Sequence, residues 1–469
     1  MAASDVTDGV TPHRSRDPAP ALADGLEMPG RIVAVAALMA SLVLVVLDGA
    51  IANVALPTIR ADLGVSAAST VWVVTAYQLA LVMGLLPSAA LGESLGHRRV
   101  FTAGVAVFSG ASILCSWAPS LSWLIAARFV QGVGAAPIMA LAVTLLRFTL
   151  PHRMIGSVIG WNAMVIALTS AIGPTIGASI LSIASWPWLF AVNIPIGVIV
   201  LIAGTALPKP AGSRRKLDLL SVALNATGFG LLVLGAEAVI GKPPLGLLLL
   251  AVSAASFFAL VRREWSREAP LIPLDLLRGR SFRLSVIASV CCFSGQMASY
   301  VALPFVFQHG YGLSPLMTGI CMTPWPLMVA VAGPVAGRLS DRMANGLLCA
   351  AGGGLLAVGL LLAAVLSMHG SPVPLVLATM IAGVGFGFFQ VPNNRNMLVS
   401  VPRERSGAAG GMQGTARLAG QTAGGLIMTV LFTLVAADVA PRAGLAIAAA
   451  LCFLGAIVSS LRTDRSDAL

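Results

Sequence analysis

The sequence predicts an all-α polytopic membrane protein, and three observations carry that prediction. Hydrophobic residues make up 57% of the 469 residues and charged residues only 10%, whereas a soluble domain carries roughly 25% charged residues. The mean hydropathy is +0.92. Apolar stretches of about 20 residues, long enough to cross a bilayer as a helix, recur along nearly the whole chain.

Charged and Pro- or Gly-rich breaks divide the chain into fourteen predicted membrane-spanning helices. The first lies between Arg31 and the turn signal formed by Leu56 and Pro57. In order, the predicted spans are 32–56, 69–92, 98–118, 120–147, 154–183, 186–207, 217–241, 243–262, 282–308, 313–340, 346–368, 373–398, 406–435 and 440–462.

The distribution of basic residues predicts the topology. Only Arg60, Lys242 and Arg442 fall in the loops on one side of the membrane, and the basic residues of the other loops and of the tails fall on the opposite side. Because Lys and Arg accumulate in cytoplasmic loops, both termini are expected in the cytoplasm, which requires an even number of spans. The net charge of +11 therefore reflects topology, and we expect no nucleic-acid partner.

Four sequence pairs recur at offsets of 247 to 251 residues and predict an internal repeat, which is common in transporters. The pairs are Pro57 with Pro304, 91–94 with 339–342, 132–134 with 383–385, and 173–177 with 420–424. We predict two parallel six-helix halves with two helices inserted between them. The predicted boundaries are a disordered cytoplasmic tail (1–30), the N-terminal half (31–207), the insertion with its loop (208–280), the C-terminal half (281–463) and a short cytoplasmic tail (464–469).

Asp48 is an ionisable residue inside the first apolar span, where a charge is costly and is by default a functional hypothesis. It lies eight residues from the predicted end of its span, and Arg128 lies eight residues into span 4 from the same side, so both sit roughly 12 Å deep. Two interpretations stay open. The pair is a proton or cation site that responds to which side of the membrane is open, or a structural ion pair that orients helices 1 and 4.

A short charged loop follows span 2, with the sequence LGESLGHRR at 91–99. Gly96 permits a tight turn, and Glu93, Arg98 and Arg99 can pair with neighbouring helix ends. The repeat adds Asp341 and Arg342 in the corresponding loop. We predict a conformational latch that is made in one state and broken in another; a loop that only fixes the topology is the alternative.

Polar and aromatic residues within the spans are candidates for a substrate cavity, where aromatic rings can stack on a lipophilic cation. The candidates are Asn53, Trp72, Tyr77, Gln78, Gln131, Trp161, Asn162, Gln296, Trp325 and Arg417. For each aromatic residue, packing or lipid contact is the alternative. Arg417 is a lone cation about eleven residues into span 13, which either faces an aqueous cavity or is satisfied structurally.

Several motifs together resemble the fourteen-helix drug:H⁺ antiporters of the major facilitator superfamily. They are LDGAIANVALP at 47–57, RFVQGVG at 128–134, GPTIG at 173–177, WPWLFAVNIPIG at 186–197 and PLIPLDLL at 270–277. Within that family, TPWPL at 323–327, QVPNN at 390–394, PRERSG at 402–407 and GTAR at 414–417 look closest to the YebQ-like bacterial transporters.

The resemblance implies alternating access and proton-driven export from the bacterial cytoplasm across the inner membrane. By matching position, Asp48 would be the protonatable acid, Arg128 its modulating partner, and Gly173, Pro174 and Gly177 the hinge motif of helix 5. The loop after helix 2 departs from the family pattern, since Glu93 stands for the usual aspartate and His97 for an arginine.

The sequence-based hypothesis is therefore a proton-coupled exporter of lipophilic or cationic compounds. The proton is the coupling ion, we expect no cofactor or metal, and we expect a monomer whose partners are its substrates and membrane lipid. Two alternatives stay open, which are an importer or metabolite porter of the same superfamily and a membrane sensor or scaffold that transports nothing. An enzyme is not expected, because no nucleophile, metal cluster or phosphate-binding loop occurs.

Overall fold

The computed structural model is a bundle of α-helices. It describes residues 26–151, 155–208, 218–264, 274–340, 342–366, 370–401, 406–436 and 438–462, without the side chains of 143, 147, 155–164, 167, 171, 240, 274, 275 and 406–408. Every regular element in this part of the chain is helical. Twelve helical segments of the described part are long and apolar enough to cross a membrane. The chain is a multi-pass membrane protein, and the predicted all-α class is confirmed.

The α-helices are numbered in chain order. They are α1 (Gly30–Leu63), α2 (Ala67–Leu95), α3 (His97–Ser116), α4 (Leu121–Thr149), α5 (Ile155–Ile183), α6 (Trp188–Ala191), α7 (Asn193–Ala203), α8 (Leu219–Gly241), α9 (Pro243–Glu264), α10 (Arg280–Phe305), α11 (Pro315–Met322), α12 (Pro324–Leu339), α13 (Asn345–Val365), α14 (Val373–Val399), α15 (Ser406–Leu434) and α16 (Ala440–Ser460). A π-helical turn, Val306–Gly310, extends α10.

Most helices match one predicted span closely. Predicted span 6 is divided into α6 and α7, and predicted span 10 is divided into α11 and α12, which starts with Pro324 at its first position. The helices α5 and α15 are not among the twelve apolar segments, so the count of fourteen spans stays a prediction. The predicted domain boundaries also stay predictions, and the predicted tails lie largely outside the described residues.

The predicted turn at Leu56 and Pro57 is wrong. Helix α1 continues through Pro57 to Leu63 and ends at Gly64, whose φ of 63° suits glycine. Proline removes one hydrogen bond of the helix, a loss that membrane helices tolerate when neighbouring helices pack around the site; Pro57 is buried. Asp48 therefore lies fifteen residues from the end of α1, not eight.

Glycine contacts repeat between the two halves at the predicted offset. A Cβ added at Gly132 in α4 would lie 2.4 Å from the carbonyl oxygen of Tyr77 in α2. A Cβ added at Gly383 in α14 would lie 2.4 Å from the carbonyl oxygen of Trp325 in α12. Tyr77 and Trp325 are themselves 248 residues apart. In each half, a glycine thus lets one helix approach the backbone of its neighbour closely, α4 on α2 in the N-terminal half and α14 on α12 in the C-terminal half.

The two halves meet more fully at one end of the bundle than at the other. We name the end that carries Gly30 and Ser460 the termini end, and the opposite end the distal end. Towards the distal end, buried side chains of both halves form one apolar cluster that includes Leu56, Ala178 and Phe305. Towards the termini end, the cluster of the N-terminal half takes in only Leu418 of α15 among the buried side chains of the C-terminal half, and a small cluster around α10 and α14 is separate from it. The halves are therefore closed together distally.

The inserted hairpin of α8 and α9 is fastened to the N-terminal half. Asn225 of α8 donates a hydrogen bond of 3.0 Å to the carbonyl of Met83 in α2. Near the distal end, the indole of Trp72 in α2 donates a hydrogen bond of 3.0 Å to Glu237 of α8. Helix α8 also contacts α15. The hairpin thus lies beside the place where α2 and α15 join the two halves.

Candidate functional site

A fully buried ion pair lies in the N-terminal half. Arg128 Nη1 in α4 lies 2.5 Å from Asp48 Oδ2 in α1, and neither side chain has exposed surface. The structure thus brings together the two charged residues that the sequence singles out. Because each charge has lost its hydration, the pair depends on its hydrogen-bonding surroundings.

Both oxygens of Asp48 accept hydrogen bonds. Besides the contact from Arg128, Oδ1 accepts from Gln131 Nε2 at 2.9 Å and from Asn193 Nδ2 at 2.7 Å. Gln131 lies one turn after Arg128 on α4, and Asn193 begins α7. Three donors therefore surround one carboxylate, an arrangement that suits the ionised form because an ionised carboxylate only accepts.

Arg128 is held on several sides. Its Nε donates to the carbonyl of Val73 in α2 at 3.0 Å, and Nη1 also donates to Gln131 Oε1 at 2.6 Å. Its guanidinium lies 4.3 Å from the ring centroid of Tyr77, a distance at which a cation is attracted to an aromatic face. Nη2 is buried and has no hydrogen-bond partner among the described residues.

Helix α3 completes this group, which we name the ion-pair cluster (Asp48, Arg128, Gln131, Ser112 and Asn193). Gln131 Nε2 also donates to Ser112 Oγ at 2.9 Å, and Ser112 Oγ donates to the carbonyl of Phe108 at 2.8 Å. Because the amide oxygen of Gln131 faces the arginine while its nitrogen faces oxygen acceptors, the orientation of the amide is consistent with all its neighbours.

Glycines let the helices of the cluster approach closely. A Cβ added at Gly173 of α5 would lie 2.6 Å from Ala50, and one added at Gly177 would lie 3.0 Å from Ile51. These glycines therefore press α5 onto the turn of α1 that follows Asp48. Pro174 lies between them inside α5. The predicted close contact is present, while the role of the motif as a hinge stays a prediction.

Protonation conflicts with this geometry. A neutral carboxyl group carries an O–H donor, and each oxygen of Asp48 already faces N–H donors from Arg128, Gln131 or Asn193. A proton added to Asp48 would remove its negative charge and leave Arg128 as an uncompensated buried charge. The charge balance of the cluster therefore depends on the ionised form of Asp48.

The predicted cavity residues separate into groups. Tyr77 and Gln131 are buried in or against the ion-pair cluster, and Trp325 is buried beside Tyr300, with ring centroids 5.3 Å apart. These three do not line an accessible cavity in this conformation, because neighbouring helices cover them.

The other predicted cavity residues lie elsewhere. Trp72 binds the inserted hairpin. Asn53 and Gln78 are buried, each with a side-chain oxygen that has no hydrogen-bond partner among the described residues. Gln296 and Arg417 are half-buried. The side chains of Trp161 and Asn162 lie outside the described residues.

The loop proposed as a latch contains the predicted tight turn. Gly96 joins α2 to α3 with a φ of 99°, which glycine adopts readily. Arg98 donates to the carbonyl of Leu207 after α7 at 3.2 Å, and Arg342 is exposed. Asp341 lies outside the described residues. The switching of Glu93, Arg98 and Arg99 between partners stays a prediction.

Sequence reasoning missed two members of the ion-pair cluster, Ser112 and Asn193. Both are uncharged, and serine or asparagine within an apolar span is common enough that it gives little signal. Asn193 stands out only because it is the sole amide in the segment 186–207.

The family of the chain follows from comparison with known proteins. The model of the Major Facilitator Superfamily matches residues 38–425 and 285–468. A peptide transporter of the POT family, solved in complex with sulfate, superposes with a TM-score of 0.68 at 13% identity, covering 91% of this chain and 93% of that one. The chain belongs to the major facilitator superfamily and has its fold.

Individual relatives are bacterial transporters. The transporter YebQ of Escherichia coli is 42% identical over 94% of this chain and 97% of its own length. The riboflavin transporter RibZ of Clostridioides difficile is 32% identical over 90% of this chain and 95% of its own. The multidrug resistance protein Stp of Mycobacterium tuberculosis is 30% identical over 86% of this chain and 76% of its own. The chain is therefore a transporter.

Proposed function

We propose that this transporter exports lipophilic compounds from the cytoplasm in exchange for protons. The observation that carries the proposal is the ion-pair cluster, in which a membrane-buried carboxylate accepts three hydrogen bonds and neutralises a buried arginine, so that its protonation would leave Arg128 without a counter-charge. The multidrug resistance relative supports export of drug-like compounds. The sequence-based expectation also includes cationic cargo.

The coupling follows from the contacts of Asp48. A proton that reaches Asp48 neutralises the anion, so Arg128 loses its counter-charge and the donors of Gln131 and Asn193 lose an acceptor. Helices α1, α3, α4 and α7 then favour a different packing, since α1, α4 and α7 meet at this carboxylate and α3 is joined to it through Gln131. Release of the proton on the other side restores the ion pair and the conformation described above.

The orientation belongs to the same proposal. The positive-inside distribution of Lys and Arg supports a cytoplasmic termini end in the bacterial inner membrane. With that orientation, the conformation with closed distal contacts is closed to the outside. A monomer suffices for this mechanism, and it uses the proton as its coupling ion.

The test uses the full-length protein in proteoliposomes with a pH-sensitive dye in the lumen. Export predicts that an imposed pH gradient drives cargo, from a panel of antibiotics and dyes, against the direction of proton flow. In Asp48→Asn, cargo is expected to move only down its own gradient with no proton signal. Unchanged coupling in that variant would overturn the role of Asp48, and cargo that moves in the same direction as the proton would favour an importer.

A further inference from the structure

Arg417 is a positively charged residue in the middle of α15, far from both helix ends. Its Nε is buried and has no hydrogen-bond partner in the described part of the chain. No acidic side chain there pairs with it, in contrast to Arg128. Arg417 is half-buried, and a partly desolvated cation without a counter-charge favours an anion beside it.

The position of Arg417 on its helix places it between the two halves. Helix α15 packs on α10 through Gly420 and Gly424, and on α2 through Gly414 and Gly425. At 3.6 residues per turn, Arg417 lies about 60° from Gly420 and about 60° from Gly414, between these two packing faces. Because α1 contacts both α2 and α10, the four helices surround a common interior, and Arg417 lies on the sector of α15 that faces it.

This sector is accessible from the termini end. Gly410 is exposed, and no atom lies within 4 Å of a Cβ added there. Arg417 and Gln421 are half-buried, and further along the same sector Met428 and Phe432 are buried. Exposure along this sector therefore falls from the termini end towards the distal end, with Arg417 partway along it, and we name the interior that the sector faces the recess.

The charge of this recess is positive. Among the described residues of α1, α2, α10 and α15, Asp48 is the only acid away from a helix end, and Arg128 neutralises it. Asp62 and Glu93 lie in the last turns of α1 and α2. A cationic cargo would be repelled by the unpaired charge of Arg417. An anionic group would pair with Arg417 through charge-assisted hydrogen bonds.

We infer that Arg417 binds an acidic group of the cargo, so that the preferred substrates are lipophilic compounds that carry a carboxylate, sulfonate or ionised phenol. The inference rests on the proposed function, and it narrows the expected lipophilic or cationic cargo to lipophilic acids. An anionic lipid headgroup offers the same chemistry, so the experiment must separate the two sources.

The experiment compares aromatic carboxylic acids with their primary amides, which have nearly the same shape but no charge. Binding to the full-length protein in a neutral detergent is followed by tryptophan fluorescence. We expect the wild type to bind the acids about tenfold more tightly than the amides, the equivalent of one charge-assisted hydrogen bond. Arg417→Gln is expected to lose this preference, and Arg417→Lys to keep part of it.

Three outcomes would overturn the inference: equal binding of acid and amide by the wild type, no binding of either, or an unchanged acid preference in Arg417→Gln. If the glutamine variant does not fold, the wild-type comparison and the lysine variant decide. Repeating the measurement in nanodiscs of phosphatidylcholine and of phosphatidylglycerol separates the sources. A cargo site keeps its preference in both lipids, whereas loss in phosphatidylglycerol assigns Arg417 to headgroups instead.

Asp48→Asn separates this inference from the proposed function, because the variant is expected to lose proton coupling while Arg417 is unchanged. Retained coupling in Asp48→Asn would refute the proposed function and leave the binding inference intact. If the wild-type protein exchanges protons for cargo but binds acid and amide equally, only the inference about Arg417 is refuted.

Discussion

Replacing Asp48 by asparagine removes the charge that faces Arg128 and keeps the shape of the side chain. The ion pair with Arg128 is lost, and an amide nitrogen faces at least one of the three donors that surround Asp48. Removal of one partner of a fully buried ion pair costs about 3–5 kcal/mol. We expect the free energy of unfolding to fall by that amount in Asp48→Asn and, for the same reason, in Arg128→Met.

The double variant distinguishes a true pair from two separate losses. With both charges gone, no uncompensated charge remains, so the double variant is expected to lose about 2–3 kcal/mol less than the sum of the single losses. The assay is denaturant unfolding of the purified full-length protein in mixed micelles. Asp62→Asn is a control on the same helix, since Asp62 is exposed and accepts one hydrogen bond from Trp186; we expect about 1 kcal/mol or less.

Additivity would refute this reasoning. If the double variant loses the sum of the two single losses within about 0.5 kcal/mol, the two side chains do not interact in the folded protein. A stable double variant that still couples cargo to protons would refute the transport role separately, because no protonatable group remains at position 48.

Three further changes test the packing. Gly132→Ala is expected to lower the melting temperature, because the new Cβ would lie 2.4 Å from a carbonyl oxygen of α2. Gly110 has open space around it, so Gly110→Ala should leave the melting temperature unchanged or raise it. Equal effects of the two substitutions would contradict the close approach of α4 to α2. Trp72→Phe removes the donor to Glu237, so the stability of α8 should fall by about 1 kcal/mol and its amide hydrogen exchange should become faster. Glu237→Gln keeps an acceptor and should change the exchange rate less. A larger effect of Glu237→Gln than of Trp72→Phe would refute that hydrogen bond. Gly319→Val in α11 would place side-chain atoms against the α5 backbone, 2.6 Å from the nearest carbonyl, and should lengthen the distance between spin labels on the distal ends of α1 and α11; an unchanged distance would show that this contact does not hold the halves together.

The sequence identifies the two charges of the site because ionisable residues are rare at membrane depth. Their contact is predicted correctly. The predicted end of α1 at Leu56 is wrong, because α1 continues for seven more residues, to Leu63. A proline in a membrane helix does not mark its end, because packing of the surrounding helices compensates for the lost hydrogen bond.

The neutral members of the site could not be predicted in the same way. Ser112 and Asn193 carry no charge, and their function depends on which faces of α3 and α7 meet Asp48, which is a property of the helix packing. The burial of Tyr77 and Gln131 in this conformation could not be predicted for the same reason. Both are polar or aromatic residues of the kind that can line a substrate cavity. In the structure, Gln131 of α4 donates a hydrogen bond to Asp48, and Arg128 of the same helix lies over the ring of Tyr77.

The ion-pair cluster also bears on how the protein is made. Asp48, Ser112, Arg128, Gln131 and Asn193 all belong to the first seven helices in chain order. Asp48 precedes Arg128 by 80 residues, so α1 is already in the membrane when ribosomal synthesis reaches α4. An arginine at the centre of a membrane helix carries an insertion penalty of about 2.5–3.5 kcal/mol. The earlier acid gives Arg128 a partner as it enters, so the N-terminal half can settle before the C-terminal half is synthesised.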